Sequence, residues 1–256
     1  MDEPLLAENN PPWLHWLAQT PSTNSWALAH AAELQHGDVV FTPQQTAGRG
    51  QGDRVWYSPP GVLTASFILD GVAPRHWPAL SLASSLAVIY AIEDLLPACR
   101  QLLQLKWPND VWCHQRKLAG ILAEVQGQRV VVGIGCNRQV ADFSEWEASI
   151  NPISLHQIQA VVPSELLLLE RCRHYLLELA GMLTERGGCD PLLPELRRRD
   201  GLFGKAICID LPLPSQHWSG TGRGVDEQGR YQIQNSEGVV RSFAAGRIRL
   251  AGAEII

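Results

Sequence analysis

The chain lacks any pairing of its cysteines. Cys99, Cys113, Cys136, Cys172, Cys189 and Cys208 lie far apart without a CxxC spacing, which argues against a zinc site or a dithiol redox centre. The first residues, MDEPLLAENNPPWL, carry acids where a secretory signal needs bases, and they have no apolar h-region. No uninterrupted apolar run approaches the roughly 18 residues that span a bilayer, so no membrane is expected. The eight histidines show no metal-ligand spacing. A net charge of −5 gives no general field for nucleic acid. Together these absences predict a cytoplasmic protein with buried free thiols. Internal repeats and low-complexity tracts are missing too.

What is present is an ordinary globular composition, 45% hydrophobic and 18% charged over 256 residues. That length suits one large domain, or a large one with a small companion. Ser22 can cap a helix from about Thr23 to Gln35, ahead of Gly37. DVVFT reads as a short strand, and VLTASFIL as a half-buried one with Leu63, Ala65, Phe67 and Leu69 on one face. An apolar helix is expected over Pro78–Leu96, then a strand in LLQLK that stops at Pro108. Lys117–Gly135 reads as a hairpin, and 164–183 as an amphipathic helix. Trp26, Trp77, Trp146 and Trp218 read as packing residues. Beyond Gly201 five short strands follow, suggesting a small barrel. The expectation is an α+β fold, with residues 1–200 as the main domain and 201–256 as the barrel.

Four segments carry possible chemistry. In QQTAGRGQGDRVWYSPPG, four glycines stand among Arg49, Arg54 and Trp56. Glycines let backbone amides approach an anion, guanidinium forks suit carboxylate or phosphate, and an indole offers a stacking face. The P-loop pattern is missing, and no helix opens after Gly52 as a dinucleotide fingerprint requires. In KWPND, Asn109 and Asp110 stand at a strand mouth, where they could meet a ligand or hold Mg²⁺. RKLAGILAE starts a strand at Lys117, and GIGCN ends one at Asn137. Taken singly, each reads equally well as a surface turn with solvated side chains.

In this order, TAGRGQ, RVW, KWPND, RKLAGIL.E and GIG.N, together with PSTN upstream, resemble the biotin–protein ligases over nearly the whole chain. The resemblance implies a mixed-sheet catalytic domain related to lipoate ligases and class II aminoacyl-tRNA synthetases, followed by an SH3-like barrel. It implies activation of biotin with ATP and Mg²⁺ as biotinyl-5′-AMP, then transfer to a lysine of the biotin carboxyl carrier protein of acetyl-CoA carboxylase. Carried over by position, Ser22, Thr23, Asn24 and Gln45 would hold biotin. Arg49, Gly50 and Gln51 would lie along the carboxylate and phosphate, and Lys117 would bridge the two; Lys117 and Arg49 are the catalytic candidates. Arg54, Trp56, Asn109, Asp110 and Asn137 would meet the nucleotide, with Asp110 near Mg²⁺.

Three departures stand out. Pro21 precedes STN where relatives often have aspartate, Gln51 stands where many carry arginine, and QGDR shifts a glycine by one position. The Gln51 change implies looser retention of the adenylate. No winged-helix segment precedes residue 20, so a ligase without DNA binding is expected. The resemblance also allows a homodimer built on the main sheet. A lipoate- or octanoate-transferring relative would carry RRxxGGG and HD-type signatures, which this sequence lacks. An inert biotin-binding module would have less reason to keep Arg49, Lys117 and KWPND together.

Overall fold

The computed structural model describes residues 10–52, 54–144, 151–185, 189–211 and 216–251. In chain order the elements are β1 (Leu14–Trp16), α1 (Thr23–Ala29), β2 (Val39–Thr42), β3 (Val62–Leu69), α2 (Trp77–Leu95), β4 (Leu103–Lys106), β5 (Asp110–Cys113), β6 (Arg116–Gln126), β7 (Arg129–Asn137), α3 (Leu155–Ile158), α4 (Glu165–Glu185) and α5 (Leu193–Arg198). The remaining strands are β8 (Ala206–Leu211), β9 (Gln216–Val225), β10 (Tyr231–Gln234), β11 (Val240–Phe243) and β12 (Arg247–Leu250).

The first seven strands form one sheet in the order β1-β2-β3-β7-β6-β5-β4. Only the β1–β2 pair is parallel, so the sheet is mixed and the class is α+β as expected. Strands β8 to β12 form a second, antiparallel sheet in the order β11-β10-β9-β8-β12, consistent with the small barrel.

Helix α2 packs on α4 and on β4, β5 and β6. Leu80, Leu82, Leu86, Ile89 and Ile92 are all buried there, and each contributes about 2 kcal/mol through lost apolar surface. The segment Pro74–Leu95 is long and apolar enough to cross a bilayer by length and composition alone, although no uninterrupted apolar run fills it. Its apolarity has another cause: most of it is enclosed within the fold.

β3 is also more enclosed than its alternation suggested, with all eight residues buried. Leu63, Ala65, Phe67 and Leu69 face the main core, while Ile68 joins Ala27, Val40 and Val131 under α1. The same face of β3 carries Thr64 and Ser66, which matter below.

Helix α1 ends at Ala29, not near Gln35. Arg129 explains the early stop: its Nη1 donates to the carbonyls of Ala31 and Leu34, holding that chain as turns. Strands β1 and β5 and helix α5 are too short to show a period. Trp26, Trp77 and Trp218 pack against the cores as read, and Trp146 lies outside the described residues. All six cysteines are unpaired, and five are buried.

The two sheets share one apolar cluster. Trp107 Nε1 donates to Gly229 O at 3.0 Å, and Tyr231 Oη donates to Asp200 Oδ2 at 2.9 Å. Leu105 exchanges backbone hydrogen bonds with Arg199 and Gly201, each 2.8 Å long. The strand leading into KWPND is thereby tied to the segment that enters the second sheet, and Trp107 to the connection between β9 and β10.

Candidate active site

The glycine-rich segment folds as a narrow ribbon. Gly50 N donates to Arg54 O at 2.7 Å, Trp56 N donates to Gly48 O at 2.9 Å, and Arg49 pairs with Val55 between them. Gly52 turns the tip at φ +64°, a left-handed conformation natural to glycine. The returning strand places Trp56 flat on the sheet. A Cβ at Gly135 would come within 2.3 Å of its indole, and one at Gly120 within 3.0 Å. The glycines of RKLAGIL and GIGCN are therefore the bed on which the ring lies.

One end of the space beside this ring is neutral. Ser22 caps α1, accepting from Ser25 N at 3.4 Å. Gln45 Oε1 accepts from Thr23 N at 2.8 Å and from Thr23 Oγ1 at 3.2 Å, and Gln45 Nε2 donates to Ser58 Oγ. The buried Ser66 hydroxyl shares its proton between Thr23 Oγ1 at 2.7 Å and Asn24 Oδ1 at 2.6 Å. Asn24 Nδ2 donates to Leu122 O and to Glu124 Oε2. Gly133 makes room for this amide, since a Cβ there would lie 2.5 Å from Asn24 Oδ1.

The other end is charged. Lys117 Nζ lies 2.6 Å from Asp110 Oδ1 and 5.4 Å from the Trp56 ring centre. Lys106 Nζ lies 3.8 Å from Asp110 Oδ2 and 5.1 Å from the Trp112 ring. Burial alone would raise the Asp110 carboxyl, but Lys117 and Lys106 outweigh it and hold it below the usual carboxylate range. Burial pulls the Lys106 ammonium below its ordinary value despite Asp110, with Lys117, Arg247 and Arg54 repelling it further. Arg54 Nε donates to Gln51 O at 3.0 Å, which sets this guanidinium at the rim. Asn109 Nδ2 donates to Ile121 O at 2.5 Å and fixes the loop before β5.

These groups enclose one cleft of about 410 Å³. Ser22, Thr23, Asn24, Gln45, Arg49, Gly50, Gln51, Arg54, Trp56, Asn109 and Lys117 all line it. Two expected residues do not. Asn137 is fully buried, and its Nδ2 donates to the carbonyls of Lys117 and Ile153, each at 3.1 Å. It braces the strand that carries Lys117, and it does not line the cleft where a nucleotide contact was expected. Asp110 sits behind Lys117 with each oxygen facing a lysine. In this arrangement both carboxylate oxygens are engaged by lysines, and no cluster of three or more metal-ligating side chains exists among the described residues.

Other residues escaped the sequence reading. Ser66 is buried between Thr23 and Asn24, Glu124 binds Arg49, and Arg247 enters the cleft from the second sheet. The alternation of β3 could have flagged Ser66, because it falls on the face opposite the Leu-Ala-Phe-Leu row. Arg247 had no such local signal.

The geometry agrees with what comparison finds. The family model for the biotin/lipoate A/B protein ligase family matches residues 16–139. A biotin–(acetyl-CoA-carboxylase) ligase of Mycobacterium tuberculosis is 34% identical over 220 residues, covering 84% of this chain and 80% of that protein. The bifunctional ligase/repressor BirA of Salmonella typhimurium is 30% identical over 244 residues, covering 91% of this chain and 72% of that protein. The solved biotin protein ligase from Aquifex aeolicus, in complex with biotin and ATP, superposes with a TM-score of 0.83 at 24% identity. That match covers 93% of this chain and 99% of the Aquifex chain, and at this identity it is a likeness of fold.

Proposed function

The chain belongs to the biotin/lipoate A/B protein ligase family, and on that footing we propose that its cleft makes biotinyl-5′-AMP from biotin and ATP. The biotinyl group then passes to a lysine of the biotin carboxyl carrier protein of acetyl-CoA carboxylase. One observation carries this reading: Arg49 and Lys117 meet in a single cleft whose far end is neutral and densely hydrogen-bonded.

A cyclic urea needs partners of both kinds without charge. Thr23, Asn24, Gln45 and the Ser22 turn offer donors and acceptors at the neutral end. Biotin's carboxylate then points toward Lys117 and Arg49. There it attacks the α-phosphorus of ATP, forming the acyl–phosphate bond as pyrophosphate leaves. Charge grows on the phosphoryl oxygens, and cations already fixed in place stabilise it without reorganising. Lys117 is held by Asp110 and braced by Asn137, so its ammonium is set before substrate arrives. Trp56 supplies the face for adenine, with Arg54, Gln51 and Asn109 nearby. Mg²⁺ enters as the MgATP substrate, carried by the phosphates, since Asp110 already faces two lysines. The ribbon over the cleft keeps water from the mixed anhydride.

In the second step the neutral amine of the carrier lysine attacks the acyl carbon, AMP departs, and the amine's proton passes to solvent. Residues 1–200 provide the reaction cleft, while 201–256 complete its charged wall. The net charge of −5 favours a protein over DNA as macromolecular partner. Free, mostly buried thiols suit the cytoplasm.

Biotin-dependent ATP–pyrophosphate exchange tests this reading. Exchange is expected with wild type, nearly absent in Lys117→Ala, abolished by EDTA and restored by Mg²⁺. Exchange driven by lipoate instead, or none with biotin, would overturn it.

A further inference from the structure

Glu124 closes the RKLAGILAE segment, and neither the cleft wall nor the steps above use it. Its Oε2 accepts from two directions, Arg49 Nη2 at 2.6 Å and Asn24 Nδ2 at 2.8 Å. Arg49 belongs to the glycine ribbon and Asn24 to the start of α1, while Glu124 rides on β6. At Glu124 that strand is paired with β7, opposite Val131, while β5 covers only its first half, so the carboxylate is carried by a sheet strand held from one side. One carboxylate oxygen thus links the glycine ribbon, the neutral end and the sheet.

The details say which way the link works. Asn24 is held from elsewhere as well, with Leu122 O and the Ser66 hydroxyl taking both ends of its amide. Arg49 commits only one corner of its guanidinium to Glu124, and its side chain stays 43% exposed where it lines the cleft. Its remaining N–H groups are free to meet an anion. Glu124 therefore does not compete with a ligand for all of Arg49; it anchors one end and leaves the fork aimed inward. Charge-assisted contacts of this kind are short and directional.

We propose that Glu124 is a positioning residue, acting through Arg49 and Asn24 to latch the glycine ribbon over the cleft and to aim Arg49 at the acyl-phosphate centre. Its role in retention rests on the adenylate chemistry proposed above, whereas the latch itself does not. An exposed ion pair of this sort shifts an opening equilibrium by about fivefold. Without the latch the ribbon opens more often, so the intermediate escapes more often.

Trypsin can read the ribbon directly, because Arg49 and Arg54 are cleavage sites on it. In Glu124→Gln, nicking of the ligand-free ribbon after these arginines is expected to be about fivefold faster than in wild type. Preformed biotinyl-adenylate, chased with excess biotin, is expected to dissociate about fivefold faster, with an unchanged unfolding midpoint. The charge-reversed pair, Arg49→Glu with Glu124→Arg, should restore slow nicking after Arg54 without restoring retention, because the guanidinium then sits on the sheet. Wild-type rates for Glu124→Gln in either measurement overturn the proposal. Should wild type form no adenylate at all, the preceding reading fails, and the trypsin comparison still decides the latch.

Discussion

The two ends of the cleft are built on opposite principles. At the neutral end, Thr23, Asn24, Gln45 and Ser66 are joined to one another by uncharged hydrogen bonds, and Glu124 is the one carboxylate that reaches them, through Asn24. At the other end, Lys106 and Lys117 crowd one carboxylate, and Arg54 and Arg247 add to the field. The first arrangement gains specificity from geometry, since a ligand that fails to match leaves buried groups unpaired. The second gains rate from charge held in place before it is needed. Losses at one end should therefore appear as binding, and losses at the other as turnover.

The largest expected effect tests the charged end. Lys117→Ala should lower kcat for biotin-dependent pyrophosphate exchange by roughly a hundred- to a thousandfold, while biotin binding without ATP, followed by calorimetry, changes less than tenfold. Equal losses in both would erase the contrast between the two ends.

Gly135→Ala probes the boundary between them. The added methyl would meet the Trp56 indole at 2.3 Å, so the ring must move. Overpacking of this kind costs about 1–3 kcal/mol. Denaturant titration should show that loss, and KM for ATP should rise about tenfold with KM for biotin little altered.

Ser66→Ala sharpens the neutral end. It removes the buried donor shared by Thr23 and Asn24, at a cost of about 1–2 kcal/mol. The expected signature is a rise of about fivefold in KM for biotin, with kcat nearly preserved.

The smallest effect lies in pH. The Asp110 carboxyl sits below its unfolded value of about 3.9, so its contribution to stability is complete above that pH. As pH falls through the lower folded value, the contribution drains away. The stability gap between wild type and Asp110→Asn should thus be full at pH 7 and narrow below about pH 4, as measured by urea unfolding. A gap that widens in acid would contradict the pairing with Lys117 and Lys106.

Sequence reasoning reached the parts of this site that are locally encoded. The glycine ribbon, KWPND and the strand from Lys117 declare themselves through turn residues and strand period, and the fold gathers them. What it missed depends on partners far along the chain. Asn137 looked like a strand-end donor, yet the extended segment at Pro152 and Ile153 runs beside the Lys117 strand and takes its amide. Glu124 stood unassigned in its motif because its partners lie 75 and 100 positions away. Gly120 and Gly135 carried no assigned role, and what lies against their bare backbone is the protein's own indole. Strands β1 and β5, three and four residues long, are set by pairing with neighbours more than by any pattern of their own.

The tie between Trp107 and the Gly229 carbonyl, together with Arg247 reaching the cleft, has a consequence for engineering. The second sheet is not a detachable accessory that can be traded among relatives at will. Grafting a foreign one would remove a guanidinium from the wall and the acceptor that seats the loop before β5. Chimeras cut near Asp200 would therefore inherit a new electrostatic landscape along with their new tail.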